Sequence, residues 1–204
     1  MSKDKPILYY LDYLSPLGVI RLFNLRQSHL ICLVAIYLNE NGPFNNTIKV
    51  KVNTKTKTPY VCQLTAQPAI ENEIKKSFKP TVNWLNTYFK EPHTTPAKQP
   101  FCFESLRGTH FQKLVWKELC RIPAGHTISY SELAKRCQRP TAVRAVASAC
   151  GKNPISILIP CHRVIAKSGL LGGYYWGLDK KQFLLNWEAK TTNHKNTKKE
   201  GLPN

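Results

Sequence analysis

Hydrophobic and polar positions change rhythm halfway along the chain. In the first half, Ile7-Leu8-Tyr9-Tyr10, Val19-Ile20-Arg21-Leu22-Phe23 and the run from His29 to Tyr37 are β-rich, and Ser15-Pro16-Leu17-Gly18 and a polar turn separate them. Such runs joined by short breaks predict an antiparallel meander. Residues 39–60 are polar, rich in Asn, Lys and Thr, and read as a long loop or exposed hairpin. Ala69 to Lys90 has helical spacing. Proline lacks a backbone donor, so Pro80 is expected to start a second helix rather than continue the first. The stretch from His93 to Pro100, with Pro96 inside it, reads as a linker.

In the second half the pattern is helical. Thr109-His110-Phe111-Gln112 is a capping-box sequence opening a helix through Cys120, and Pro123-Ala124-Gly125 ends it. Ser129-Tyr130-Ser131-Glu132 is a second capping box, opening a short helix to about Cys137. After the turn Gln138-Arg139-Pro140, residues Thr141 to Gly151 predict a helix full of small side chains, Ala142, Ala145, Ala147, Ser148 and Ala149. Helix, short turn, helix is the spacing of a helix-turn-helix. The apolar run Ile155 to Ile159 predicts a buried strand, which Pro160 stops just before Cys161. Asp179 can cap a helix to Ala189 with Phe183, Leu184 and Trp187 inward, and the lysine-rich tail is expected to be disordered. The expected class is α+β. It has a small antiparallel-sheet domain over 1–92, a linker over 93–102, a mostly helical, winged-helix-like domain over 103–190 and a basic tail over 191–204.

Composition narrows the function. Of 204 residues 42% are hydrophobic, enough for a packed core. Thirty Lys and Arg face twelve Asp and Glu, a net charge of +18, which favours a polyanionic partner such as nucleic acid. No stretch has the length of a membrane span, and Met1 to Pro6 lacks the features of a signal peptide. Seven cysteines, an odd number without a regular framework, point to free thiols in a reducing compartment. The expected location is cytoplasmic, nucleoid-associated in a bacterium or nuclear in a eukaryote. There is no C-x-x-C, and the H-x-x-C pair His29 and Cys32 has no second pair to answer it, so no structural metal is expected.

Candidate chemistry centres on Ile159-Pro160-Cys161-His162-Arg163-Val164. A thiol becomes a good nucleophile on losing its proton, which a neighbouring base or cation favours. The simpler alternative is a buried structural cysteine, the usual fate of a free thiol. Cys161 follows the helix-turn-helix closely, which places a DNA-reading element and a thiol together in sequence.

These residues resemble a known family. Asn153-Pro154, the run Ile157 to Val164 and Gly173-Tyr174 look like the active-site segment of O6-alkylguanine-DNA alkyltransferases. The resemblance extends through Phe111-Gln112, Val115-Trp116, Ile128-Ser129-Tyr130 and Arg144-Ala145-Val146, and covers residues 103 to 189 most strongly. It implies repair of double-stranded DNA containing O6-alkylguanine by a monomer. The alkyl group passes from O6 of guanine, and in some cases O4 of thymine, to the cysteine, once per molecule and without a cofactor.

By the same resemblance Cys161 is the acceptor and His162 its base, acting through a water, because adjacent side chains of an extended segment point to opposite sides. Glu188 orients the histidine; read alone, it is equally a solvated charge near a helix end. Asn153 ties the active-site turn together, or caps the preceding helix. Tyr130 donates toward the guanine ring, or is simply a half-buried tyrosine at a helix start. Arg144 fills the place of the extruded base, or makes an ordinary phosphate contact. Ala145 and Ser148 let the helix approach the minor groove. Extrusion costs a few kcal/mol, less at a damaged pair. Carbonyls of Cys161 and Val164 and the backbone N–H of Tyr175 complete the guanine pocket beside Tyr174. Tyr175 stands where many relatives have a serine or other small residue, and Trp176 follows it, as in some bacterial relatives; this bulky rim is expected to favour methyl over benzyl transfer. The alternatives are a non-catalytic DNA-binding module, which leaves Cys161 and Glu188 unexplained, and a Cys-His hydrolase, which leaves the basic charge and Arg144 unexplained.

Overall fold

A computed structural model describes residues 7–27, 30–39, 68–96 and 98–196. Most of the polar 39–60 segment, His29 of the H-x-x-C pair and residues 197–204 lie outside them. The chain forms two compact units, Met1–Asn86 with Ala97–Arg107, and Thr87–Pro96 with Gly108–Asn204. The chain therefore passes between units near residues 86, 96 and 107, and the expected linker over 93–102 is itself divided at 96.

The first unit holds the expected meander. Strands β1 (Ile7–Ser15), β2 (Gly18–Gln27) and β3 (Leu30–Asn39) pair antiparallel in sequence order. Ser15 faces Gly18 across a tight turn, where Gly18 has φ +93°, a conformation glycine adopts without steric cost. The Ser15 hydroxyl donates to the Gly18 carbonyl at 2.8 Å and accepts from the Leu17 N–H at 3.1 Å. Successive residues Ile20 to Asn24 are all buried, so both faces of the middle strand are covered. Arg21 can be buried because Asp12 takes its guanidinium at 2.5 Å.

Helix α1 (Pro68–Lys90) runs unbroken through Pro80, against the expectation of two helices. The reason is the apolar stripe. Phe78, Thr81, Trp84, Leu85 and Tyr88 are buried at helical spacing on both sides of the proline, while Pro80 itself is exposed, where water can satisfy the freed carbonyl. Asn24 to Ser77 at 2.9 Å and Tyr13 to Asn86 at 2.9 Å fasten the helix to strands of the same unit.

The second unit is built from α2 (His110–Leu119), α3 (Tyr130–Arg136), α4 (Val143–Gly151) and α5 (Leu178–Asn196). A short parallel pair, β4 (Ile128–Ser129) and β5 (Val164–Ile165), completes it. Thr109 and Gln112 form the full capping box. Ser129 caps α3 by accepting from the Glu132 N–H at 3.1 Å, whereas the Glu132 carboxylate pairs with Arg136 instead of closing a box. Trp116 lies in the core, its indole N–H donating to the Ala149 carbonyl at 2.9 Å. Gly108 packs on that ring: a Cβ there would lie 2.6 Å from it.

Two further expectations change. Helix α5 continues to Asn196, so the first residues of the basic tail are helical; the run Lys190 to Asn196 contains neither glycine nor proline to stop it. The run Ile155 to Ile159 is no strand. Ser156 bridges Ile159, and the chain turns back through Ile157 at φ +75°. A left-handed β-branched residue is rare and costs about 1–2 kcal/mol; complete burial of Ile155 and Ile157 to Ile159 opposes it.

Candidate active site

That turn positions the thiol. It follows α4, and Asn153 clamps it from within. The Asn153 carboxamide oxygen accepts from the Ile155 N–H at 3.0 Å. Its nitrogen donates to the Ile159 carbonyl at 2.7 Å and lies 3.1 Å from Cys161 Sγ. The helix cap itself is Lys152, so Asn153 serves the turn and the thiol rather than the helix end. Cys161 opens a single 3-10 turn, Cys161–Arg163, which corrects the expectation of an extended segment. Successive side chains of such a turn diverge by about a third of a revolution.

Cys161 is 8% exposed. It lines a cavity of about 290 Å³ together with Tyr130, Cys150, Asn153, Ser156, Tyr174 and Tyr175, with Ala147, Gly151 and Gly173 completing the wall. Burial raises the thiol pKa, which the Asn153 hydrogen bond and the Lys181 charge only partly oppose. At neutral pH the resting sulfur is therefore a thiol, and it needs a base at the moment of reaction.

His162 is the candidate. It is fully buried, and its Nε2 lies 2.9 Å from Glu188 Oε1. Burial lowers its pKa; Glu188 opposes this, and Arg163 and Lys181 reinforce it. The imidazole is neutral at pH 7. Its Nε2–H faces the carboxylate, which leaves Nδ1 as the lone-pair nitrogen. Nδ1 is buried without a hydrogen-bond partner among the described residues.

Glu188 is no solvated charge. Its Oε1 accepts from Tyr88 Oη at 2.7 Å, His162 Nε2 at 2.9 Å and Arg163 Nη2 at 2.8 Å. Its Oε2 accepts from the Gly125 N–H at 3.0 Å and Arg163 Nε at 3.0 Å. Burial would raise its pKa, but the charge and hydrogen bonds of His162, then those of Arg163, outweigh burial and hold the carboxyl well below the usual range. Arg163 also donates to the Ile122 carbonyl at 2.5 Å. Arg163 thus balances the charge of the carboxylate beside a histidine that burial keeps neutral.

The remaining predicted residues fall into two groups. Tyr130 lines the cavity, and burial raises its hydroxyl to about 12, so it is a donor at neutral pH. The Tyr174 hydroxyl is likewise pushed far up by burial. Val164 is buried, and its carbonyl accepts from Lys181 Nζ at 2.7 Å. Tyr175 is 74% exposed and meets Trp176 edge-on, while Trp176 donates to the Ser156 hydroxyl at 2.7 Å. Arg144, Ala145 and Ser148 do not line the cavity; all three are exposed on α4, opposite buried Val146, Ala149 and Cys150.

Sequence reasoning missed Tyr88, Gly125, Cys150 and Lys181, and it missed the partnership of Arg163 with Glu188. Arg163 alone carried a signal, adjacency to the dipeptide. A lysine or tyrosine on an amphipathic helix carries none.

The chain is similar to known proteins. The family described as 6-O-methylguanine DNA methyltransferase, DNA binding domain, matches residues 110–190. A probable methylated-DNA–protein-cysteine methyltransferase of Acanthamoeba polyphaga mimivirus is 44% identical over 123 residues, covering 60% of this chain and 80% of that protein. The regulatory protein ada of Salmonella typhimurium is 54% identical over 85 residues, 42% of this chain, which spans only 24% of that longer protein. Among solved structures, Mycobacterium tuberculosis OGT in complex with DNA is similar with a TM-score of 0.60 and 33% identity, covering 91% of this chain and 94% of that one. On its sequence, its fold and its buried Cys-His-Glu constellation, the chain belongs to the methylated-DNA–protein-cysteine methyltransferase family.

Proposed function

We propose that the protein repairs DNA by moving an alkyl group, mainly methyl, from O6 of guanine onto Cys161. The observation that carries this reading is the buried thiol clamped by Asn153 beside a neutral histidine whose Nε2–H faces Glu188. Such a site makes a thiolate only when a substrate fills it. The S–H proton passes through a bridging water to His162 Nδ1, the sulfur attacks the alkyl carbon, and the carbon–O6 bond breaks in line. Guanine leaves on taking a hydrogen bond or proton from Tyr130. The product is a thioether, whose thiolate is too poor a leaving group to be displaced from carbon by guanine or water, so each molecule acts once and no cofactor is consumed.

Recognition follows from the surroundings. We read α3 and α4 as a helix-turn-helix whose exposed Arg144, Ala145 and Ser148 face the minor groove, Arg144 replacing the extruded base. The Val164 carbonyl has one lone pair on Lys181 and one left for the exocyclic amine of guanine. We read the Tyr175 N–H as the donor to O6. Tyr175 lines the cavity and Trp176 holds the lining residue Ser156, a bulky rim that favours methyl over benzyl transfer in this reading; equal single-turnover rates on the two guanines would refute that preference.

Incubation with O6-methylguanine DNA followed by intact-mass measurement tests the main reading. A gain of one methylene on wild type, mapped to Cys161 and lost in Cys161→Ala, is the expected result. Tight DNA binding without an adduct would reduce the protein to a binding module.

A further inference from the structure

Glu188 is held by a residue one hundred positions away. Tyr88, in the last turn of α1, is fully buried, and its hydroxyl donates to Glu188 Oε1 at 2.7 Å. The same oxygen accepts from His162 Nε2 at 2.9 Å. The segment around Tyr88 holds Glu188 by its backbone as well. His93 Nε2 lies 2.8 Å from the Glu188 carbonyl, and Trp187, one residue before the glutamate, donates from its indole to the Tyr88 carbonyl at 3.2 Å. Residues 87–96 belong to the same compact unit as Cys161, although 97–107 do not. This segment braces both the side chain and the main chain of the carboxylate.

We propose that Tyr88 is a positioning residue of the alkyl-transfer site, sharing Glu188 Oε1 with His162 and thereby setting how strongly the carboxylate draws on the imidazole. The inference rests on the alkyl-transfer reading. Each donor on Oε1 takes a share of its negative charge. Without the tyrosine hydroxyl, more of that charge falls on the His162 Nε2–H. The imidazolium is then favoured, Nδ1 binds its proton at higher pH, and the base is lost sooner as the solution is acidified.

The charged and titratable groups facing this centre are named by the structure. Arg163 and Cys161 share the 3-10 turn with His162; Lys181 and Glu188 come from α5; Tyr174 comes from the loop before it. Tyr88 comes from α1, and His93 Nε2 lies against the Glu188 carbonyl. Burial pushes the hydroxyls of Tyr88 and Tyr174 well up, so both tyrosines stay neutral. His162 is therefore the group whose titration limits the rate on the acid side.

The test uses the full chain. Single-turnover transfer from O6-methylguanine DNA is followed against pH for wild type, Tyr88→Phe and Tyr88→3-fluorotyrosine. Phenylalanine keeps the ring and removes the donor; the acid limb is expected to move up by about half a pH unit, a roughly threefold loss of rate on that limb. Fluorotyrosine is a stronger donor and is expected to move the limb down. A purely structural tyrosine would lower the rate equally at every pH and leave the limb in place. Should the phenylalanine variant unfold, the fluorotyrosine protein alone decides by the direction of its shift. Wild type without an adduct would remove the alkyl-transfer reading and this one together. Wild type active with superimposable or uniformly lowered variant profiles would overturn only the role of Tyr88.

Discussion

Glu188 gathers five donating groups from four residues: Tyr88, Gly125, His162 and two nitrogens of Arg163. An ionised carboxylate offers about four lone-pair sites, so this one is saturated and its ionised form is locked in. The sign of the pH effect follows. The carboxyl lies below its ordinary 4.5, so its stabilising contribution is complete above that value and is lost as pH falls through the folded value. His162 is held below its ordinary 6.5 by burial, so the unfolded chain takes up that proton first and stability also falls below pH 6.5. Both groups make the protein sensitive to acid. The melting temperature is expected to fall steadily from neutral pH toward pH 4. Glu188→Gln, which strands Arg163 in the interior, should cost about 3–5 kcal/mol at neutral pH and flatten the further loss below pH 4.5, where the carboxylate's own contribution disappears. A variant with an unchanged slope would contradict the assignment. Cys161, His162 and Asn153 were legible in the sequence because they sit within ten residues of one another in a distinctive order. Tyr88 and Lys181 were not, since nothing local distinguishes a buried tyrosine or lysine from a solvated one.

Element boundaries were legible wherever a side chain makes them. Thr109 and Ser129 both accept the backbone N–H expected of helix caps, and the three strands appear where β-rich runs were marked. The failures share a cause: tertiary burial overrode a local rule. Ile155 to Ile159 has no period, and a short apolar run is equally compatible with a strand or a buried turn. Asn153 decides for the turn, with contacts that no pattern encodes. Pro80 is the converse case, a breaker carried inside a helix by the stripe from Phe78 to Tyr88. The proline is exposed and interrupts the hydrogen-bond ladder, so Pro80→Ala should restore a donor without disturbing the core. Set against the greater freedom of the unfolded chain, the expected gain is about 2 kcal/mol. Denaturant unfolding measures it. A loss of stability on this change would mean that the helix needs the proline's bend.

At the scale of the molecule, the described residues lining the thiol cavity all belong to one unit, and that unit includes Thr87–Pro96 from the N-terminal half. The resemblance in sequence was strongest over 103 to 189, so the contribution of the earlier segment became visible only in the fold. The cavity is also where reaction and stability meet. Cys161 is 8% exposed, and its sulfur lies 3.1 Å from the Asn153 amide that closes the turn. Methylation places a carbon on that sulfur and replaces a thiol by a thioether, a weak acceptor with no proton to donate. The clamp loosens, and the turn through left-handed Ile157 loses part of what holds it. An added methyl in a packed site costs about 1–3 kcal/mol, which for a chain of this size lowers the melting temperature by about 2–10 °C. The experiment is a thermal melt of the full chain before and after complete reaction with O6-methylguanine DNA, the DNA being removed at high salt. Cys161→Ala, taken through the same steps, is expected to keep its own melting temperature, so any shift in wild type belongs to the adduct. A methylated protein that melts at or above the unreacted one would show that the turn accommodates its product, and that spent molecules are not marked by instability.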